Sequence, residues 1–397
     1  MSTGIAQQTL IRRLTLFVVS MRAIAPYLWI LYFSRYGFDV TDEGFYLSSA
    51  RNAFDYSLNI PPTLFGFVYY WPYQISGGDI AALRVTNVLV TGGLSWLLSF
   101  LVLQRFSAPV MRRSTLVVSA GAVSTLSLVD FSLWLLTPDY SSLALHALML
   151  VMTGLLLVDR PTAPVWSWGW ALIAIGGCLC FLAKPTTAAG AALLVGLYAL
   201  VFLRHRLLPM LTTALGAVIL LALVALAIDG SIGAFNQRLS GSAEITVLAG
   251  SGQDFSRIFR LDSLDFGRSQ LVSAALAVLA TSAFVLLLGF SERHGRAAVL
   301  VVAVLALAYG GFLIARSSVL VPVDRAGLVL LPFALLAGAA LPGGREWIVD
   351  QSWRAWAMAA IFLFLPHVYF FGSNGNYWTN GSNATLFWML SPLVLFS

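Results

Sequence analysis

The sequence predicts an all-α polytopic membrane protein, a single bundle of about 11–12 transmembrane helices with further helices in its extracytoplasmic loops. Three observations carry that prediction. Of 397 residues, 59% are hydrophobic and only 10% charged, where a soluble domain has roughly 25% charged residues. Apolar stretches long enough for a ~30 Å hydrocarbon core recur along the chain, separated by polar turns. The arginines cluster in alternate turns, as the positive-inside rule requires. Together these exclude a soluble enzyme and a disordered scaffold. The sequence pI is near 9.5, yet no solvated segment carries a basic run or basic–aromatic alternation, so no nucleic-acid partner is expected.

The expected spans are 14–34, 80–103, 114–136, 143–158, 166–183, 187–203, 210–228, 270–290, 297–315, 326–341, 355–371 and 386–396. The first is long enough to cross, and no small-residue cleavage pattern follows it, so it reads as an anchor rather than a signal peptide. The spans flanking Lys184–Pro185 form either one broken helix or a tight hairpin. The last is short for a crossing. Cys178 and Cys180 lie two residues apart on a helix, about 160° apart on its wheel, which suits neither a disulfide nor a metal clamp. They read as packing residues.

With the N-terminus inside, the cytoplasmic turns hold 12 arginines (12, 13, 105, 112, 113, 160, 204, 206, 293, 296, 345 and 354), while short outer loops hold Lys184, Arg316 and Arg325. The carboxylates, not used to fix that orientation, sort the other way: 12 of 17 fall outside. The two long loops, 35–79 and 229–268, are also outside. The chemically equipped face is therefore the extracytoplasmic one.

The first outer loop reads RYGFDVTDEGFYLSSARNAFDYSLNIPPTLFGFVYYWPYQISGGD. Its aromatic rings suit the headgroup level. Asp39, Asp42 and Glu43 are either a solvated turn after the first span or a partly desolvated catalytic group, since burial raises a carboxyl pKa and suits a general base. Neighbours on a helix diverge by about 100°, so Asp42 and Glu43 do not serve one substrate atom. One is the base; the other supports it or faces a metal.

The run Asp42-Glu43-Gly44-Phe45-Tyr46, followed by Ala50 and Pro61-Pro62, resembles the first periplasmic loop of GT-C glycosyltransferases, in the branch of lipid A aminoarabinose transferases and protein O-mannosyltransferases. The resemblance continues through GGDIAALRVTNVL with Arg84, through TPDYSSLALHALML with Asp139, and through GGCLCFLAKPTTAAG with Lys184, covering residues 35–190. No Lys-Pro-Pro occurs, because Ile60 precedes the prolines. The resemblance implies a GT-C-type bundle in a bacterial inner membrane. It implies inverting transfer of a sugar from a polyprenyl-phosphate donor to an acceptor hydroxyl on a lipid, glycan or protein, with the site extracytoplasmic. Asp42 is then the base and Glu43 its support, Tyr46 and Asp139 contact substrate, and Lys184, Arg84, Arg316 and Arg325 are candidate donor-phosphate ligands. A divalent metal on Asp42 and Glu43 remains open, with no cofactor otherwise implied.

Each candidate cation also has a plainer reading. Arg84 and Lys184 suit snorkelling at the interface, and RSSVLVPVDR, with Arg316, Asp324 and Arg325, suits a structural Asp–Arg pair. Loop 229–268 nearly balances its charge, and its Gly- and Ser-rich part suits a flap. Asp130, inside a span, should face protein interior or water. His146 and His367 read as hydrogen-bonded packing residues. The Asn- and Gly-rich tail FFGSNGNYWTNGSNATLFW is a sugar contact or an ordinary interfacial loop. The alternative function is a secondary transporter or flippase of lipid-linked sugars. Such folds show internal repeats and midplane charges, and no repeat relates the two halves here.

Overall fold

The computed structural model describes residues 2–55, 63–106, 111–133, 135–246, 351–372 and 381–395. These are helical, with no strand among them. The predicted spans 270–290, 297–315 and 326–341 lie outside the described residues. The chain falls into two compact units, one of Met1–Phe259 with Val368–Asn374, the other of Arg260–His367 with Gly375–Ser397.

The first unit contains α1 (Ser2–Phe33), α2 (Asp42–Arg51), α3 (Phe65–Ile75), α4 (Ile80–Phe106), α5 (Arg113–Ser124), α6 (Val129–Leu133), α7 (Tyr140–Val158), α8 (Trp168–Ala183), α9 (Pro185–Phe202), α10 (Leu207–Asp229) and α11 (Ile232–Thr246). Among the described residues, six helical stretches are long and apolar enough to cross a membrane: Arg13–Phe33, Ile80–Phe106, Arg113–Phe131, Tyr140–Val158, Pro185–Phe202 and Arg204–Asp229. Each overlaps a predicted span. The third is not one continuous α-helix. After Ser124 it tightens into a 3₁₀ turn, Thr125–Leu128, before α6.

Leu208, Leu211, Leu215, Val218 and Leu223 of α10 are exposed, as are Leu14, Phe17, Val18 and Leu28 of α1. In water such continuous apolar faces would be aggregation surfaces; in lipid they cost nothing. The centre of the unit is α7, buried on nearly all sides. It packs antiparallel on α8 through glycines. A Cβ on Gly154 would meet the Gly169 carbonyl oxygen at 2.5 Å, and one on Gly176 would meet Val151 Cγ2 at 2.7 Å. Absence of side chains there lets the backbones approach, the usual device where lipid offers no hydrophobic drive.

Lys184–Pro185 is a hairpin rather than a kinked single helix. Lys184 is extended, and Pro185 opens α9 at the position where its missing N–H costs nothing. Lys184 lies beside Tyr140 at one end of α7. After α9, Arg206 donates to the carbonyls of Val158 and Ala163 at the other end. So α9 runs back along α8.

Charge separates along the same axis. At one end Arg105 meets Asp159 (3.5 Å) and Arg160 donates to Gln104 (2.6 Å), beside Arg206. At the other end lie α2, α3, the start of α7 and the α8–α9 tip. α11 joins that end: Arg238 pairs with Asp229 at 2.6 Å and stands 5.5 Å over the Phe67 ring of α3. Gly230, at φ +71°, makes the turn from α10 to α11.

In the second unit, Met358 and Phe362 of the helix Trp353–Phe370 are fully buried, as are Phe387 and Trp388 of the short helix Thr385–Leu395.

Candidate active site

The loop after α1 turns on Asp39. Its carboxylate accepts from Thr41 N (2.8 Å), Thr41 Oγ1 (2.6 Å) and Asp42 N (2.9 Å), satisfying the first N–H of α2 and that of the residue before it. The Thr41 hydroxyl, with those backbone N–H groups, holds the Asp39 carboxyl below the usual range. Asp39 is thus the capping residue of the DVTDE segment.

Asp42 and Glu43 diverge as helical neighbours must. Glu43 is 1% exposed. It takes Arg84 Nη2 at 2.6 and 2.7 Å and Arg84 Nε at 2.9 Å, and it accepts from the Thr137 hydroxyl and from Asp39 N (3.0 Å). The remaining Arg84 donors reach Ser34 O (2.8 Å), Tyr36 O (3.1 Å) and Gly37 O (2.9 Å), carbonyls at and just beyond the end of α1. All five guanidinium N–H groups therefore have protein acceptors. Arg84, a candidate donor-phosphate ligand by sequence, is thus engaged by the protein at every donor. It is a positioning residue, a cation at a helix C-terminus tied to a carboxylate 41 residues away in sequence. Glu43 likewise supports the loop rather than facing a ligand.

Asp42 is exposed on the first turn of α2. Tyr46 follows four residues later, on the same helical face. The Tyr46 ring packs edge-on against Phe65 (5.6 Å) and Tyr140 (5.9 Å) and is buried. Burial, reinforced by Tyr140 and by the charges of Asp139 and Asp42, pushes the Tyr46 phenol well above its ordinary range. Tyr46 is a neutral wall beside Asp42 rather than an open sugar platform. Gly66 lets α3 close on α2, since a Cβ there would stand 2.6 Å from Ser49 O.

Asp139 is the N-cap of α7. Oδ1 accepts Ser142 N at 2.7 Å while Ser142 Oγ accepts Asp139 N at 2.8 Å, a reciprocal capping box. Tyr69 of α3 reaches the same serine at 3.3 Å. Lys184 occupies the non-helical break between α8 and α9. Its ammonium donates to the Tyr369 carbonyl and stands over the rings of Tyr369 (5.4 Å), Phe370 (5.5 Å) and Tyr140 (5.8 Å). Burial lowers its pKa to about 8, with Asp139 acting in the opposite direction. Thr186 binds the Phe371 carbonyl in the same way. The Tyr369 hydroxyl donates to Asp130 at 3.3 Å, so the in-span carboxylate faces protein, as expected.

The structure thus gathers Asp42, Tyr46, Asp139 and Lys184 at one end of the first unit and sets Glu43 and Arg84 behind them. Arg316, Arg325 and the tail sequence 373–380 lie outside the described residues. Tyr140, Tyr369 and Thr137 went unnoticed in sequence, although the Asp-Tyr-Ser-Ser run carries a capping signal that points to 139–142. His146 is a packing residue, bonded to Thr91 at 2.6 Å. Among the described residues no three His, Cys, Asp or Glu side chains converge as a metal-ligand group. Comparison with protein families, characterised proteins and solved structures finds no match to this chain.

Proposed function

We propose that the chain is a membrane glycosyltransferase of the GT-C type. It moves a sugar from a polyprenyl-phosphate donor to an acceptor hydroxyl on a lipid, glycan or protein, at the extracytoplasmic face of a bacterial inner membrane. The observation that carries this reading is the division of labour within the Asp-Glu pair. Glu43 is consumed in a buried lock with Arg84, while Asp42 is held exposed on the same helical turn, on the face that carries Tyr46. A carboxylate so placed suits a general base: it takes the acceptor proton as the hydroxyl oxygen attacks the anomeric carbon and the phosphate leaves with its electron pair. Inversion follows from a single displacement. That step is worth about 10²–10⁴-fold. The opposite, arginine-rich end supports assigning this end to the outer face.

The test is in vitro transfer by the purified chain from a panel of polyprenyl-phosphate sugars, wild type against Asp42→Asn. Product formation that falls at least 100-fold in the variant supports the reading, and equal product removes Asp42 as base. Movement of sugar-lipid across vesicles without glycoside formation would replace the enzyme with a flippase.

A further inference from the structure

α4 carries a buried polar residue at nearly every turn. Asn87, Thr91, Ser95 and Ser99 follow at intervals of four, each at most 2% exposed. The row starts one turn after Arg84 of the Glu43 pair and ends at Ser99, six residues before Arg105 of the Asp159 pair. From Arg84 to Arg105 is 21 residues, about 32 Å at 1.5 Å per residue, the thickness of a hydrocarbon core. α7 runs parallel alongside, contributing His146 and Thr153.

Part of this file is paired. Thr91 Oγ1 bonds both Asn87 O (2.8 Å) and His146 Nε2 (2.6 Å). Ser127 donates to Ser95 at 3.0 Å. Three atoms are not paired: Asn87 Oδ1, Ser99 Oγ and Thr153 Oγ1 are buried without a hydrogen-bond partner. Hydroxyls in helices normally satisfy themselves on the carbonyl four residues back, as Thr91 and Thr213 do. Ser99 and Thr153 do not. Ser99 lies eight residues beyond Thr91 and Thr153 seven beyond His146, so on parallel helices they stand at one height. Buried polar atoms without partners are costly, and in a polar, enclosed site the group that relieves the cost is water.

We propose that the α4–α7 seam binds internal waters at Asn87, Ser99 and Thr153, making with Thr91 and His146 a hydrated file along the seam. The ligand class is water, and the file gives His146 a route of proton exchange through otherwise apolar surroundings. Nothing in this depends on the glycosyltransferase reading.

X-ray radiolytic footprinting of the full purified chain in ¹⁸O-labelled water tests it, because hydroxyl radicals form from bound water where it sits. Met152, fully buried next to Thr153, and His146 are the reporters; Met21, 51% exposed, calibrates the dose. The expected result is ¹⁸O incorporation at Met152 and His146, reduced at least fivefold at Met152 by Ser99→Ala with Thr153→Val while Met21 is unchanged. Unlabelled Met152 and His146 at doses that oxidise Met21 would overturn the proposal, as would labelling unchanged in the double variant. The wild-type arm decides the matter even where the double variant does not fold.

Discussion

Removing Glu43 should unbalance the structure more than any exposed carboxylate can. In Glu43→Ala the Arg84 guanidinium, 5% exposed, keeps its charge and its three backbone acceptors but loses the carboxylate that takes both Nε and Nη2. A buried pair broken from one side costs about 3–5 kcal/mol, which at 1.4 kcal/mol per decade raises the unfolding constant by roughly two to nearly four decades. Arg84→Met alone strands Glu43 in the same way and also uncaps the end of α1. The double variant removes both charges of the pair, so its cost should fall well below the sum of the singles, the deficit being the coupling energy. Equilibrium unfolding of the purified chain in mixed micelles, titrated with SDS, reads all four corners of the cycle. A Glu43→Ala protein within about 0.5 kcal/mol of wild type, or strictly additive singles, would refute the lock.

Other perturbations follow from the same geometry. Lys184 has its folded pKa lowered to about 8 against 10.5 unperturbed; the unfolded chain then binds more protons between those values, so stability should rise as pH increases from 8 to 10.5. Lys184→Met should flatten that slope, which thermal unfolding at stepped pH will show. Gly154→Ala forces a methyl against the Gly169 backbone and should cost about 1–3 kcal/mol, whereas Gly177→Ala, with nothing within 4 Å of its Cβ, should be near neutral; paired melting curves separate them. Asp139→Ala removes the α7 cap at about 0.5–2 kcal/mol, and Asp139→Ser should recover most of it in the same assay.

The spans were legible because lipid imposes one simple demand, about 20 apolar residues with every backbone group satisfied inside the helix. Each of the six long helices sits where the hydropathy pattern put it, and Lys184–Pro185 announced a break. Its resolution as a hairpin needed Arg206 to be seen capping the far end of α7. Local chemistry was partly legible too: helical spacing alone separated the faces of Asp42 and Glu43. Pairing was not. Nothing in the composition of GGDIAALRV says that Arg84 spends all five donors on the protein, because its partners are a carboxylate and a hydroxyl tens of residues away and carbonyls that carry no residue signature. The four-residue spacing of Asn87, Thr91, Ser95 and Ser99 is plain in the sequence, but their burial, and the missing partners of Asn87 Oδ1 and Ser99, are not.

The tip of the α8–α9 hairpin binds carbonyls that belong to residues 369 and 371. A ribosome reaches them some 185 residues after it has made Lys184. Until then the hairpin tip carries an ammonium that has not met its acceptor, and a chain arrested before residue 369 should leave that lysine open to amine-reactive labels.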